Sequence, residues 1–231
     1  RGEVLAEAEA VRGRDERVRF QLALLDEPDR QKRFEMHMAK ADELTEPFQR
    51  AWKKAVICEA FGRAEQYVEH LREAARIQPG AVGVLDRLFR HALTTEDWTL
   101  AEQCLQDLAA ALGDPPAAEM YRAELAAARG RHNEAAAALE GALRARPDDK
   151  RARCLLGTCH LNAGRPEEAE KAFAAVLAAD RGYPPAVIGM AQVAEARQDW
   201  PEHARWIERA WADERTRSSP YVRERHLLLE Q

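Results

Sequence analysis

The sequence predicts an all-α protein assembled from antiparallel helix pairs stacked in a row. Three observations lead there. Ala, Leu, Glu and Arg dominate the 231 residues, and all four are strong helix formers. Val, Ile and Thr are sparse, and no stretch alternates apolar and polar residues for long enough to make a strand. Displaced by 34 residues, the sequence also matches itself in one gapless frame, and a period of about 20–50 residues marks a solenoid or repeat array.

The frame is visible in the side chains. A small series runs Ala55, Ala123, Gly157, Ala191, with Phe89 as the exception. A second runs Ala101, Ala135, Ala169, with Tyr67 and His203 as exceptions. A bulky series follows in Leu71, Leu105, Leu139, Phe173 and Ile207, and three residues later come Ala74, Leu108, Ala142, Val176 and Ala210. Small residues let the two helices of a pair approach closely. Bulky ones fill the space to the next pair, so that stacking makes one continuous core.

Taken in order, the elements follow from this frame. Helices are expected near 2–12, 15–26 and 30–44, within a degenerate segment 1–47 where Phe20, Leu24 and Met36 keep helical spacing but Arg33 and Lys40 fall at small or apolar positions. Five units follow, 48–81, 82–115, 116–149, 150–183 and 184–217, with helices near 47–61, 64–78, 82–95, 98–112, 116–129, 132–145, 150–163, 166–179, 184–197 and 200–214. The turn inside each unit carries Gly62-Arg63, Glu96-Asp97, Gly130-Arg131, Gly164-Arg165 or Gln198-Asp199 in register. Gly suits the left-handed conformation that ends a helix. Pro166, just after a turn, suits a first helical turn, where its missing N–H has no helical partner anyway. Unit ends carry Pro79, Gly113 and Pro147. In residues 218–231, Ser219-Pro220 marks one more helix near 220–230, either a cap or a truncated next unit, because Glu224 and Arg225 stand where apolar and small residues are expected.

These residues resemble the tetratricopeptide repeat family. The resemblance is clearest in 150–183, through Leu156-Gly157, Gly164, Ala169, Phe173 and Val176, and covers most of the chain. It implies a right-handed α-solenoid superhelix whose first helices line a concave groove. By register that groove holds Gln49, Trp52, Val56 and Glu59, then Asp86, Arg90 and Leu93, then Met120, Glu124 and Ala127, then Arg151, Cys154, Thr158 and Leu161, then Ile188, Gln192 and Glu195. Leu156, Gly157 and His160 are expected to face inward. Trp52 is the foremost contact residue, since Trp and Arg dominate binding hot spots. Its alternative is packing against the preceding unit. A subgroup of the family clamps C-terminal carboxylates with Lys, Asn and Arg. The stripe Trp52, Lys53, Val56, Asp86, Arg87 and Arg90 lacks the Asn and Lys partners of that clamp, so no such clamp is expected.

The chemistry of the chain argues for binding and against catalysis. Seven histidines form no HExxH and no metal-ligand spacing with cysteine. His160 is expected buried and hydrogen-bonded. The glycines are isolated turn residues and make no phosphate loop. Asp148-Asp149 and Glu167-Glu168 sit where helix N-termini favour negative charge. No cofactor and no enzyme activity are therefore expected. Cys58, Cys104, Cys154 and Cys159 make no CxxC pair and are read as small semi-buried hydrophobes, which leans toward the cytoplasm over the periplasm. Net charge is −5 and the pI about 5.9. The basic clusters, Arg12 to Arg19 and Arg144 to Arg153, both contain acids, so no nucleic-acid partner is expected. No apolar run approaches the roughly 20 residues of a membrane helix. The expected function is a protein-interaction scaffold binding a peptide or helix. The alternative is a docking or regulatory part of a larger enzyme, or of a secretion or envelope complex. The first residue, Arg1, gives the sequence the look of a fragment, and its Ala/Arg richness points to a high-GC bacterium.

Overall fold

Thirteen helices and no strand make up the described residues, 28–229, of a computed structural model. They are α1 (Arg30–Asp42), α2 (Pro47–Phe61), α3 (Ala64–Ile77), α4 (Val82–Thr94), α5 (Trp98–Leu112), α6 (Pro115–Ala128), α7 (His132–Ala145), α8 (Lys150–Asn162), α9 (Pro166–Ala179), α10 (Pro184–Ala196), α11 (Trp200–Ala212), α12 (Glu214–Arg217) and α13 (Pro220–Leu229). The helices expected near 2–12 and 15–26, with Phe20, Leu24 and the first basic cluster, lie outside the described residues. The chain divides into two units, Arg1–Thr94 and Thr95–Gln231, and the division falls inside the expected repeat 82–115.

In the first unit α1 packs on α2, α2 pairs with α3, and α3 packs on α4. In the second, α5 packs on α6. Then α6 pairs with α7, α8 with α9 and α10 with α11, each pair packing on the next, and α11 carries α13. This is the α-solenoid arrangement within each unit: a helix touches its partner and its neighbours in the row. The repeating side chains explain it. Ala55, Phe89, Ala123 and Ala191 are fully buried, as are Leu71, Leu139 and Ile207, with Phe173 almost so. Half-buried Leu105 is the exception in its series.

Helix ends follow local chemistry. Asp97, Asp149 and Asp199 cap α5, α8 and α11 by accepting hydrogen bonds from the N–H groups of Leu100 at 3.1 Å, Ala152 at 2.9 Å and Glu202 at 3.1 Å. Such caps satisfy N–H groups that have no helical partner. Gly62, Gly130 and Gly164 turn at φ +71°, +73° and +73°. Glu96 and Gln198, in register with them, adopt the same left-handed backbone at φ 56° and 59° without being glycine. The frame imposes the turn even where the residue opposes it.

Two local expectations change. The helix expected at 200–214 ends at Ala212, and a separate four-residue helix, α12, follows. Asp213 breaks the run: its backbone is extended, and its carboxylate accepts from the Arg215 N–H at 2.9 Å. His203, at a position that calls for a small residue, fits because it is buried and donates through Nδ1 to the Ala191 carbonyl at 2.9 Å. The carbonyl can only accept, which fixes the proton on Nδ1.

Candidate functional site: the outer faces of the first helices

The site is built from the helix of each pair that leads in the sequence frame. In the first unit, α2 presents Gln49, Trp52, Val56 and Glu59, and α4 presents Asp86 and Arg90. Gln49, Glu59 and Arg90 are exposed, while Trp52, Val56 and Asp86 are half-buried. The Arg87 guanidinium lies 5.1 Å from the centre of the Trp52 ring and pairs with Glu59. A Cβ on Gly83 would lie 4.0 Å from the tip of the same ring. Trp52 is therefore engaged by α4, the first helix of the following repeat; the expected alternative had placed it against the preceding one. Trp52 and Val56 are half-buried, not enclosed.

In the second unit, α6 presents half-buried Met120 and Glu124, α8 presents exposed Arg151 and half-buried Thr158, and α10 presents half-buried Ile188 and Gln192. Arg151 bridges to Glu124 on the neighbouring first helix at 2.6 Å. Glu195, at the end of α10, accepts from the Tyr221 hydroxyl at 2.8 Å and from Arg225 at 2.8 Å. Met120 rests on the core around Leu139, and Ile188 on the core around Val187 and Val222. The result is an apolar floor with carboxylate–guanidinium bridges across it. Such bridges are each worth about 0–1 kcal/mol where exposed, so their main effect is to fix side-chain positions.

One member of the expected set does not reach the surface. Cys154 is 5% exposed and packs among Ala169, Phe173, Val176, Ala186 and Val193. The reason is geometric: α8 is covered by α7, α9 and α10, so its buried arc is wider than one stripe, taking in Ala152, Cys154, Gly157, Cys159 and His160. Leu156, expected inward, is only half-buried. Thr158 remains on the face, but its hydroxyl donates to the Cys154 carbonyl at 3.2 Å. All four cysteines are buried and outside any disulfide, a deeper placement than expected. Burial pushes the Cys154 thiol up to about 12 and the Cys159 thiol up to about 11, which makes both inert as nucleophiles. His160 is buried as expected, but its Nδ1 has no hydrogen-bond partner. Burial, and then the Arg165 charge, lower its pKa.

Sequence reasoning passed over Tyr221, Arg225 and the part Arg87 plays. The signal existed. Glu59 to Arg87 and Glu124 to Arg151 join opposite charges 28 and 27 residues apart, a little less than one repeat. Wide-mouthed depressions occur among the described residues. One of about 450 Å³ is lined by Pro115, Pro116, Ala137, Ala138 and Gly141 among others, and one of about 490 Å³ surrounds Arg30, Phe61 and Gly62. Neither is a deep pocket with converging polar groups. Among the described residues no group of three or more His, Cys, Asp and Glu is placed to hold a metal ion. None of the described helices is long and apolar enough to cross a membrane.

Comparisons with known proteins bear on this geometry. Two family models, both described as tetratricopeptide repeat, match residues 87–149 and 126–187. Among solved structures, the chain is similar to a tetratricopeptide repeat protein from Parabacteroides merdae, at 13% identity and a TM-score of 0.72 over 84% of this chain and 75% of that one. It is similar to pilF of Pseudomonas aeruginosa, at 19% identity and 0.54 over 73% and 76%. It is also similar to MamA of Desulfovibrio magneticus, at 17% identity and 0.54 over 75% and 98%. At these identities the likeness is one of fold. No curated protein sequence matches the chain.

Proposed function

We propose that this chain, matched as tetratricopeptide repeat across residues 87–187, holds a partner peptide or helix along the solvent-facing sides of its first helices. Repeats of this kind serve as scaffolds for protein interaction; the location and the manner of contact are the new part. One observation carries it: on α6, α8 and α10, Met120, Glu124, Arg151, Thr158, Ile188 and Gln192 all lie outside the core, and Arg151 bridges to Glu124 on the neighbouring first helix. A partner meeting these residues gains apolar burial at Met120 and Ile188, worth about 25 cal/mol per Å². It takes its orientation from the amide of Gln192 and the fixed Glu124–Arg151 bridge. In the first unit the corresponding contacts are Gln49, Trp52, Val56, Glu59, Asp86 and Arg90, with Trp52 already pre-oriented by Arg87. A side chain held in one rotamer before binding loses less entropy on binding.

The test is a selection of peptides from a random library against the 231-residue chain. The selected peptides are then titrated against Met120→Glu, Ile188→Glu and Trp52→Ala. Weakening of roughly tenfold or more by at least one of them, as for hot-spot residues, supports the reading. Peptides that bind all three variants as tightly as the parent, but lose affinity to substitutions on the second helices, would place the contact elsewhere.

A further inference from the structure

In the second unit, charge is shared unevenly between the two helices of a pair. Exposed Glu167, Glu168 and Lys171 stand on α9, and exposed Arg205, Glu208 and Arg209 on α11. Their first helices differ. Every Lys and Arg of α8 falls in its first turn, as Lys150, Arg151 and Arg153, and from Cys154 to Asn162 it has no Lys, Arg, Asp or Glu. The 13 residues of α10 include a single charged one, Glu195, in a chain that is 32% charged. Both helices nevertheless reach solvent in these stretches: Thr158 and Leu161 on α8, and Ile188 and Gln192 on α10, are half-buried. The two helices touch each other directly. Charges at the margins are already engaged. Arg151 pairs with Glu124 at 2.6 Å, Lys150 with Asp180 at 2.9 Å and Arg225 with Glu195 at 2.8 Å, while Arg153 donates to the Pro147 carbonyl.

We infer that the partner segment meets α8 and α10 through an uncharged stripe, made of apolar side chains with hydroxyl or amide groups among them. This rests on the reading that the solvent-facing sides of the first helices are the binding side, and it names the chemistry of what binds there. A Lys or Glu laid over Leu161 and Ile188 would give up its water, and each nearby opposite charge is already held by another residue. Burying a charge without a partner is costly. A neutral polar group fares better. The Thr158 hydroxyl donates to the Cys154 carbonyl at 3.2 Å and keeps its lone pairs for an incoming N–H or O–H, and the Gln192 amide brings both a donor and an acceptor. Thr158 and Gln192 stand one repeat apart in the sequence frame, so a segment crossing from α8 to α10 meets a neutral polar group on each. Depletion of charge is also what distinguishes the core of a protein interface from the rest of a surface. Binding held by apolar burial and neutral hydrogen bonds depends little on salt, whereas binding held by exposed charges is screened.

The test starts from library-selected peptides whose binding to the 231-residue chain is weakened by Ile188→Glu, which places them on this face. An alanine scan of each peptide finds its contact residues. Titration is then repeated in about 0.1 M and about 1 M NaCl, between which the Debye length falls from about 10 Å to about 3 Å. The contact residues are expected to be uncharged, and the affinity to stay within about twofold across that range. Lys or Glu in place of a contact residue should weaken binding by roughly tenfold or more, as at a hot spot. Gln192→Glu keeps the shape of the side chain and adds a charge, and should weaken binding by roughly tenfold, as a desolvated group left unmatched does. Thermal unfolding checks that both protein variants keep the parent fold. Peptides that need Ile188 yet bind through Lys, Arg, Asp or Glu, with affinity falling by roughly tenfold at the higher salt, overturn the inference and leave the binding face standing. Peptides indifferent to both Ile188→Glu and Gln192→Glu overturn the face and the inference together. A dimer in sedimentation that Gln192→Glu dissolves also overturns it, since a second copy of the chain would then cover the face.

Discussion

Two glycines in the second unit give opposite predictions for the same substitution. Gly189 lies inside α10, and a Cβ built there would lie 2.5 Å from two atoms of the Phe173 ring and 2.7 Å from a third. Ordinary contact begins near 3.4 Å, so the ring must retreat by about an ångström. It has little room, because the same ring atoms already lie against the backbone at Gly157, where a Cβ would come within 2.8 Å, and Phe173 is 1% exposed. Overpacking of this kind costs up to about 3 kcal/mol, offset by about 1 kcal/mol of helix propensity gained on replacing Gly by Ala. Gly189→Ala is therefore expected to destabilise by about 2 kcal/mol, or a fall of about 1 M in the urea midpoint at a slope of about 2 kcal/mol/M. Gly141 lies inside α7, and its Cβ would meet only the end of the Arg144 side chain, at 3.6 Å. Gly141→Ala should raise the midpoint by about 0.5 M on the same propensity argument. Adding Phe173→Leu to Gly189→Ala should recover about 1 kcal/mol relative to the sum of the single changes, since the two residues touch. Circular dichroism in urea reads all four variants. A rise in midpoint for Gly189→Ala, or strict additivity with Phe173→Leu, would refute the packing argument.

Three further outcomes follow from the same structure. Gln198, at φ 59°, should be improved by glycine: Gln198→Gly is expected to gain about 1 kcal/mol, because a left-handed backbone costs other residues about 1–2 kcal/mol, whereas Gly164→Ala, at φ +73°, should lose a similar amount by thermal unfolding. Hydrogen bonds from the Arg215 side chain and then its backbone hold the Asp213 carboxyl down at about 2, against its ordinary 3.8. The folded value is the lower one, so the stabilisation it brings is fully present above pH 3.8 and disappears as pH falls through about 2. The melting difference between the parent and Asp213→Asn should therefore hold at neutral pH and vanish near that acid limit. Finally, Ellman's reagent should label none of the four buried cysteines in the native state at pH 8. Labelling should follow the rate of unfolding, and fast native labelling of Cys159 would contradict its burial.

Much of the fold was legible because the frame is written in side-chain size. Gly62, Gly130 and Gly164 announced their turns, and the series through Leu71 and Phe173 announced the core. The same regularity let Glu96 and Gln198 be placed correctly even though their chemistry opposes the turn. What escaped were features set by three-dimensional neighbours. Register alone puts Cys154 in the groove because a single helix shows one stripe, whereas burial on α8 is fixed by three surrounding helices. Trp52 could be set on a face but not against a neighbour, since its contact with Gly83 and Arg87 depends on the distance between α2 and α4. The break at Asp213 was hidden within helix-forming residues and came from one carboxylate capturing the N–H two residues on.

Amide hydrogen exchange on Phe173→Ala tests the central physical claim most directly, that each helix pair is stabilised by its immediate neighbours in a row. Removing this ring empties the space between α8, α9 and α10 at a cost of about 3–5 kcal/mol. Exchange should quicken in those three helices and leave the protection of α2 and α3 as it was. Equal loss of protection in α2, α3 and α8–α10 would mean a single shared core, and would contradict the stack.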